Sequence, residues 1–224
     1  MGSYRALDNL YRDVTVRRSR RALRMTLRVS QLDGRVTLTV PEHTGDRAAR
    51  DFLASHTDWI DKAQSKVADE VLVKPGAELP VEGKMLAIHA SSGRRTVMFP
   101  DHIEMSSPKA LAARLKHLAR DRAMPRVDHY AGEVGRDVGR VTFRDTRSRW
   151  GSCTTDGNLM LSWRLILAPP EVFDYVIAHE VAHLVEMNHS SAFWSVVEEL
   201  CPTYKTHKSW LRRDGPGLHR YHFD

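Results

Sequence analysis

The sequence predicts an α+β fold, in which an antiparallel β-rich region with one helix (residues 1–106) precedes a domain with a small mixed sheet and a buried helix (residues 107–224). Three observations predict it. Near the amino terminus, apolar and basic residues alternate with a period of two, which is typical of half-buried strands. The pair Ser107-Pro108, which suits a helix start, precedes apolar residues at helical spacing. Residues 176–185 are apolar on nearly every side, which indicates a helix inside the core.

In the amino-terminal region the pattern predicts three strands, one helix and then several short strands. The Asp33-Gly34 pair between two alternating runs is a hairpin signal. We expect an antiparallel sheet with arginines on one face. The predicted elements are strands at 11–17, 23–29 and 35–40, a helix from 46 to about 70, and short strands within 71–105.

The remaining elements alternate between helices and strands. Pro125 is expected to kink or interrupt the first of these helices, because proline removes a backbone donor. Asn188 is expected to follow the end of the long helix, because asparagine tolerates the left-handed conformation. The predicted elements are a helix from Ser107 that closes within 132–139, strands at 140–146 and 159–165, a long helix from Pro169-Pro170, a helix beyond Asn188, and a short helix after Pro202.

The positive charge of the chain lies at its amino terminus. The 224 residues include 34 Lys+Arg and 28 Asp+Glu, a formal net charge of +6. Residues 1–50 hold 11 arginines and 5 acids, and 11 − 5 = +6, so the other 23 basic and 23 acidic residues cancel. No apolar run approaches the ~18 residues of a membrane span, and we see no secretory signal. Two cysteines, Cys153 and Cys201, fit a reducing compartment, so a cytoplasmic location is expected.

The stretch His179-Glu180-Val181-Ala182-His183 lies inside the long predicted helix. Residues four apart share a helix face, so His179 and His183 can direct ring nitrogens at one point. Two imidazoles on adjacent turns suit Zn²⁺, one ion per chain, which needs further ligands to complete its shell. Glu180 lies beside that face, where it can take a proton from a metal-activated water during attack on a carbonyl. This spacing therefore predicts a zinc hydrolase site.

His189 is the predicted third ligand, since the chain can leave the helix after His183 and bring this ring back over the metal. The resulting spacing, HExxHxxxxxH, equals that of the metzincins, although Glu186 stands where those enzymes have a turn glycine. A carboxylate is the alternative ligand, because Asp and Glu also serve in catalytic zinc sites. The candidates are Glu186, Glu198 and Glu199.

Further stretches along the chain carry a family resemblance. They are Val40-Pro41, Trp59-Ile60, Ser148–Cys153, Leu161–Leu165, Pro169-Pro170, Tyr175–His183, Met187–Ser190 and Phe193-Trp194. With them the sequence resembles the YgjP-like metallopeptidase family, which is of the zincin type and similar at the active-site helix to the SprT and WLM groups. The resemblance implies a zincin-like catalytic domain and a zinc-dependent hydrolase, with His179, His183 and His189 as ligands and Glu180 as catalytic base. Ser162 departs from the family pattern, in which asparagine is expected.

The strand before the active-site helix is a candidate for substrate binding. In zincins an edge strand beside the metal pairs with an extended peptide, so the resemblance suggests this role for 159–165 or 141–146. An internal strand without substrate contact is the alternative. Arg147, Arg149 and Tyr204 are candidates for stabilising the oxyanion or contacting the substrate. Ordinary ion pairing explains the arginines equally well, and Tyr204 can simply close the core.

These observations predict a cytoplasmic zinc-dependent metallopeptidase that acts on a peptide or protein substrate, without a membrane partner. One alternative is a nucleic-acid-associated zinc protease docked by Arg17, Arg18, Arg20 and Arg21, although few aromatic residues lie among these arginines to stack on bases. Another is a zinc amidase that acts on a small molecule in a closed pocket. A zinc-bearing but idle scaffold is disfavoured by Glu180, since a structural site needs no base there.

Overall fold

The computed structural model describes residues 4–6 and 14–224. The chain forms two compact units, Met1–Asp69 and Glu70–Asp224. The strands between residues 71 and 105 belong to the second unit, because their buried side chains share its core with the helices that follow. The predicted domain boundary after residue 106 therefore falls inside the second unit. The mixed α+β fold class is confirmed.

The described part of the first unit contains a four-stranded sheet. Its strands are β1 (Tyr4–Ala6), β2 (Val14–Ser19), β3 (Thr26–Val29) and β4 (Val36–Pro41). They lie in the order β1-β2-β4-β3, and β2 and β4 run parallel because β3 lies on the far side of β4. The sheet is thus mixed, whereas the sequence predicted antiparallel pairing throughout. Residues 11–13 of the first predicted strand lie outside the described residues.

The predicted hairpin at Asp33-Gly34 joins β3 to β4. Gly34 has a φ of 67°, in the left-handed region that favours glycine. Its N–H donates to the carbonyl of Ser30 at 2.9 Å, which closes the turn. Val29 consequently faces Val36 at the start of an antiparallel pair.

The predicted helix from residue 46 consists of two helices, α1 (Asp46–Ala54) and α2 (Thr57–Gln64). Polar side chains separate them: the Ser55 hydroxyl donates to the carbonyl of Phe52, and the Thr57 hydroxyl donates to that of Ala54, both at 2.9 Å. Such local bonds compete with the helical ladder, which the apolar spacing alone does not reveal. The helices and the sheet share a core formed by Val14, Val16, Val36, Leu38, Val40, Ala49, Leu53 and Ile60.

The arginine-rich segment of the first unit is partly neutralised by carboxylates of the same unit. Arg18 lies 2.5 Å from Asp46, at the start of α1. Arg20 lies 2.9 Å from Glu42. Arg17 is exposed on the outward face of β2. Two of the predicted surface arginines therefore already have acidic partners.

The second unit begins with five strands. They are β5 (Val71–Leu72), β6 (Glu78–Val81), β7 (Lys84–Ala90), β8 (Val97–Met98) and β9 (His102–Met105). The last four form a sheet in the order β6-β7-β9-β8. Its buried residues pack against the core beneath the helix that follows β9.

Helix α3 (Pro108–Val134) follows, and its ends are as predicted. The Ser107 hydroxyl accepts a hydrogen bond from the N–H of Ala110 at 3.1 Å, and Gly135 ends the helix with a φ of 61°. The helix continues through Pro125, which is exposed, so water can satisfy the carbonyl that loses its partner. Neither α3 nor any other helix of the described residues combines the length and the apolar character needed to cross a bilayer.

A three-stranded sheet comes next, formed by β10 (Val141–Arg144), β11 (Gly151–Cys153) and β12 (Leu159–Ser162). Its order is β10-β12-β11, with β12 parallel to β10 and antiparallel to β11. The predicted strand 159–165 ends at Ser162, because a 3-10 helix, Trp163–Leu167, takes over. Its central position gives β12 partners on both sides.

The carboxy-terminal part of the unit is mainly helical. Its elements are α4 (Pro170–Ala182), α5 (Ser191–Leu200), α6 (Tyr204–Arg213), a 3-10 helix (Gly215–Arg220) and β13 (Tyr221–His222). Strand β13 pairs in parallel with β5, so the two ends of the unit meet. Arg164 fastens this closure, since its guanidinium donates to the carbonyls of Leu218 and Tyr221 at 3.1 and 2.9 Å and pairs with Asp145.

Candidate active site

Helix α4 and the loop after it bring three histidines together. His179 and His183 lie one turn apart on α4, and His189 lies in the loop before α5. One ring nitrogen from each falls within 4.8 Å of the others. The three are the predicted ligands, and no carboxylate among the described residues joins the group. The alternatives Glu186, Glu198 and Glu199 are therefore not brought into the cluster.

The chain reverses direction after α4 by a route that differs from the prediction. The N–H groups of Val185 and Glu186 donate to the carbonyl of Ala182, at 3.1 and 3.0 Å, so the turn begins directly at the helix end. Asn188 does not have a positive φ, so the predicted left-handed exit is wrong. Its side-chain oxygen instead accepts from the N–H of Ser190 at 2.9 Å. Asn188 thus stabilises the loop between α4 and α5, in which His189 lies.

The hydrogen bonds of the rings fit a metal site. His183 Nδ1 lies 3.0 Å from the carbonyl of Glu186, to which only an N–H can donate, so Nε2 of this ring carries a free lone pair. His189 Nε2 and His179 Nε2 face each other at 3.2 Å. The buried Nδ1 of His179 has no partner among the described residues. Three imidazoles that converge through their outer nitrogens form a donor set suited to a transition metal.

The protonation of the rings also favours metal binding. Burial lowers the pKa of His179 to about 3, and the nearby His183, His189 and Lys208 add to the effect. Burial likewise lowers the pKa of His183. Since a metal binds the neutral imidazole, rings that resist protonation are ready to act as ligands near neutral pH.

Glu180 is buried beside the histidines, and its carboxyl packs against the backbone of β11. Burial raises its pKa to about 8, which the positive charge of Arg149 opposes. A Cβ atom on Gly151 would lie 2.5 Å from Glu180 Oε1, far inside van der Waals contact. Only glycine therefore leaves room for the carboxyl at this point of β11. A cation at the histidine cluster would lower the pKa of Glu180, because an opposite charge nearby favours the carboxylate.

An aromatic layer supports the exposed side of the cluster. Trp194 on α5 lies with its ring centroid 5.8 Å from that of His189 and 5.4 Å from that of Tyr204. Lys208 on α6 places Nζ 3.8 Å from the centroid of the Trp194 ring. Tyr204 thus approaches the histidines through Trp194 and Tyr175, with which it stacks. Sequence reasoning had not assigned a role to Trp194 or Lys208, because their proximity depends on how α5 and α6 pack on α4.

The two candidate arginines lie in different surroundings. Arg149 is exposed and lies close enough to Glu180 to act on its charge. The charge of Arg147 instead acts on His219. Of the two, the structure brings Arg149 to the glutamate. A role for Arg147, Arg149 or Tyr204 in stabilising the oxyanion stays a prediction.

The strand beside the glutamate is not one of those predicted. The segment 159–165 contains the central strand of its sheet, so it has no free edge, and this prediction is wrong. The other suggestion, 141–146, contains β10, which lies at the edge away from β11. Strand β11 contacts α4 and, within the described residues, pairs on one side only, with β12. The free edge next to Glu180 therefore belongs to residues 151–153.

A helix that presents two histidines and an intervening glutamate to a third histidine is the arrangement of a metallopeptidase. The family model of the YgjP-like metallopeptidase domain matches residues 23–214, and the chain belongs to this family. The resemblance to this family that the sequence carries is confirmed. Among curated proteins, no sequence matches the chain. Among solved structures, it is similar to the metallopeptidase zymogen abylysin of Pyrococcus abyssi, with 24% identity over 39% of this chain and 89% of that chain and a TM-score of 0.36.

Proposed function

We propose that this metallopeptidase is zinc-dependent, that His179, His183 and His189 hold one Zn²⁺, and that Glu180 is its general base. The observation that carries the proposal is the convergence of three imidazole nitrogens within 4.8 Å next to a buried glutamate. An all-imidazole donor set suits zinc and does not suit Ca²⁺ or Mg²⁺, which prefer oxygen ligands. Zinc is therefore the metal that the site supports best.

The residues of the chain divide the hydrolytic work. Zn²⁺ bound to the histidines would supply a Lewis acid that polarises the scissile carbonyl and acidifies water. Glu180 accepts the proton of the attacking water on a carboxylate oxygen and delivers it to the nitrogen of the departing amine. Gly151 leaves the space that this carboxyl occupies. The positive charge of Arg149 acts on the carboxyl and favours its ionised form. Peptide and water thus become a carboxylic acid and an amine.

Strand β11 supports a peptide as the substrate. Its free edge offers backbone N–H and C=O groups to an extended chain, a general mode of peptide recognition. Because Gly151 lies against Glu180, a chain that pairs there passes the general base. A small-molecule amidase has no use for such an edge, so we favour a peptide or protein substrate.

Metal analysis and peptide turnover test this proposal together. We expect wild-type protein to hold one zinc per chain and Glu180→Gln to keep the metal, while its turnover falls at least ~100-fold, as for loss of a general base. His189→Ala should lose both zinc and turnover. Zinc is measured by elemental analysis after dialysis, and turnover is measured with a quenched fluorescent peptide library.

Glu171→Gln is the matched control, since Glu171 is exposed in the first turn of the same helix. It should retain both zinc and turnover. A Glu180→Gln protein that cleaves as fast as this control would overturn the role of Glu180. Wild-type protein that retains no zinc would overturn the metal assignment.

A further inference from the structure

A groove of about 640 Å³ lies on the open face of the β10-β12-β11 sheet. It is separate from the histidine cluster, since none of the three histidines lines it. Its lining is rich in arginine and in hydroxyl groups and contains no acidic residue. The lining residues are Arg140, Thr142, Arg144, Thr146, Ser148, Arg149, Ser152, Thr154, Asn158, Leu159 and Met160.

The alternation of the strands explains why this face is polar. Phe143 and Leu161 are paired across β10 and β12 and are buried in the core. Their neighbours Thr142, Met160 and Ser152 lie in one row across the three strands, on the opposite face. Because side chains along a strand point alternately to the two faces, Thr142, Met160 and Ser152 reach the groove.

The arginines of the groove form no salt bridge within the described residues. Arg140, Arg144 and Arg149 are exposed. Arg149 acts on the charge of the nearby Glu180 without forming an ion pair with it. Arg164, in the 3-10 helix that follows β12, in contrast pairs with Asp145 at 2.6 Å. Three unpaired guanidinium groups around hydroxyl donors form a surface complementary to carboxylates.

The groove and Glu180 lie on opposite faces of the sheet, because Gly151, which faces Glu180, pairs with the buried Leu161. Arg149 relates the two, since it lines the groove and also acts on the charge of Glu180. Gly151, two residues later, is the point of β11 against which Glu180 packs. Strand β10 lies two strand spacings from β11, about 10 Å, so a polypeptide on the β11 edge can reach Arg144 within a few residues.

We propose that this groove binds an acidic segment of the polypeptide substrate, away from the bond that is cleaved. The proposal rests on the peptidase function proposed above and names the class of substrate for it. A polypeptide fits better than a nucleic acid, because no aromatic side chain lines the groove to stack on a base. The Asp and Glu side chains of the substrate pair with the guanidinium groups, and the hydroxyls of Ser148 and Ser152 donate to its carbonyls.

Equilibrium binding tests the groove without relying on hydrolysis. Fluorescence anisotropy is measured in the Glu180→Gln background with three labelled probes: a peptide rich in Asp and Glu, its Asn and Gln counterpart, and a single-stranded oligonucleotide of equal charge. We expect the acidic peptide to bind at least tenfold more tightly than its neutral counterpart, and its affinity to fall as salt is raised. Arg140→Glu combined with Arg144→Glu should weaken that binding at least tenfold.

The control carries the same change in charge at a distant place: Arg114→Glu combined with Arg120→Glu, both exposed on α3. It should change the affinity less than twofold. If a groove variant fails to fold by circular dichroism, the neutral pair Arg140→Gln and Arg144→Gln replaces it, with the same expected direction.

The outcomes distinguish a failure of the groove proposal from a failure of the proposed peptidase function. Acidic-peptide binding that is lost only in the groove variant supports the groove, even if the wild-type protein cleaves no peptide and the proposed function fails. Equal affinity for acidic and neutral peptides, or equal loss in groove and control variants, overturns it, even if cleavage is observed. Tighter binding of the oligonucleotide than of the acidic peptide, lost in the groove variant, also overturns it.

Discussion

In the first unit, every buried side chain of the described residues is aliphatic, whereas the second unit buries four polar side chains. These are Ser162, Glu180, His183 and His219. Burial of a polar group costs free energy unless it finds a partner, so such groups are retained where they serve a purpose. Two of the four belong to the candidate active site. The difference teaches that the buried residues of the first unit serve packing, while the second unit accepts a cost in stability at the candidate active site.

The charges of the two units make the same point at the surface. The entire formal surplus of +6 comes from residues 1–50, yet Arg18 and Arg20 there are already paired with acids. The unpaired arginines Arg140 and Arg144 lie in the part of the chain whose charges cancel overall. Net charge therefore did not locate the surface best suited to an acidic partner.

The largest expected effect is on stability in the first unit. Leu38 is fully buried in β4, and Leu38→Ala should reduce the free energy of unfolding by about 3 kcal/mol through the cavity it leaves. Hydrogen exchange should show lost protection in residues 14–64 with little change beyond residue 70. Turnover at 25 °C should stay at the wild-type value.

Thr39→Ala, on the opposite face of the same strand, is the control and should change stability by no more than about 1 kcal/mol, the span of strand propensity. The comparison between the units would break if Leu38→Ala lowered turnover in proportion to stability.

The next effect concerns activity in the second unit. Gly151→Ala forces the Glu180 carboxyl away from β11, and a displacement of about 1 Å can cost about 100-fold in rate. We expect kcat/KM to fall by about that factor while zinc content stays unchanged. A merely structural role of Gly151 would lower stability and leave the rate per folded molecule intact.

Gly132→Ala is the matched control, since nothing lies within 4 Å of a Cβ at that helical glycine. It should leave kcat/KM within a factor of about two, and its stability should rise slightly or stay the same. Equal losses of activity in the two alanine variants would contradict the positioning role of Gly151.

The smallest expected effect is a pH dependence at His219. Burial, together with Arg164 and Arg147, lowers its pKa to about 4, against the opposing charge of Asp145. Trp150 covers the ring, with centroids 5.0 Å apart. As pH falls from 6.5 towards 4, the unfolded chain binds a proton that the folded chain refuses, so stability is lost in this window. Because relaxation of the surroundings reduces the cost of charging a buried ring, we expect a loss of about 1 kcal/mol from this group.

Urea unfolding at pH 7.5 and pH 4.5 measures this effect. His219→Gln should lose less stability between the two values than wild type, whereas His117→Gln, at an exposed position of α3, should behave as wild type. The histidine cluster is intact in both variants, so its contribution cancels. Identical pH dependence in all three proteins would rule out a role for His219.

Local patterns allowed much of the fold and the histidine cluster to be predicted. The spacing of His179 and His183 needs only one helix, and the Ser107 cap and the Asp33-Gly34 turn are settled within a few residues. The order of β10, β12 and β11 is not local, because it depends on which strands meet in three dimensions. For that reason the sequence suggested the central strand as the edge.

Two site residues could not be assigned for a related reason. Gly151 was visible in the Trp150-Gly151-Ser152 run, but its purpose is a contact with Glu180 from a different segment. Lys208 carries no motif at all and reaches the site only because α6 packs against α4. Sequence spacing identifies candidate ligands that lie on one helix. Which residues surround them depends on how the helices and strands pack in three dimensions.

The pairing of β5 with β13 has a consequence for how the enzyme is made. On the ribosome the first unit can fold as soon as it emerges, but the second has to wait for residues 221–222 to meet residues 71–72. The segment that Arg164 contacts is synthesised after the histidine helix, so a nascent chain carries the three histidines before the second unit can close. We therefore expect activity to arise only after residues 221–222 have paired with residues 71–72.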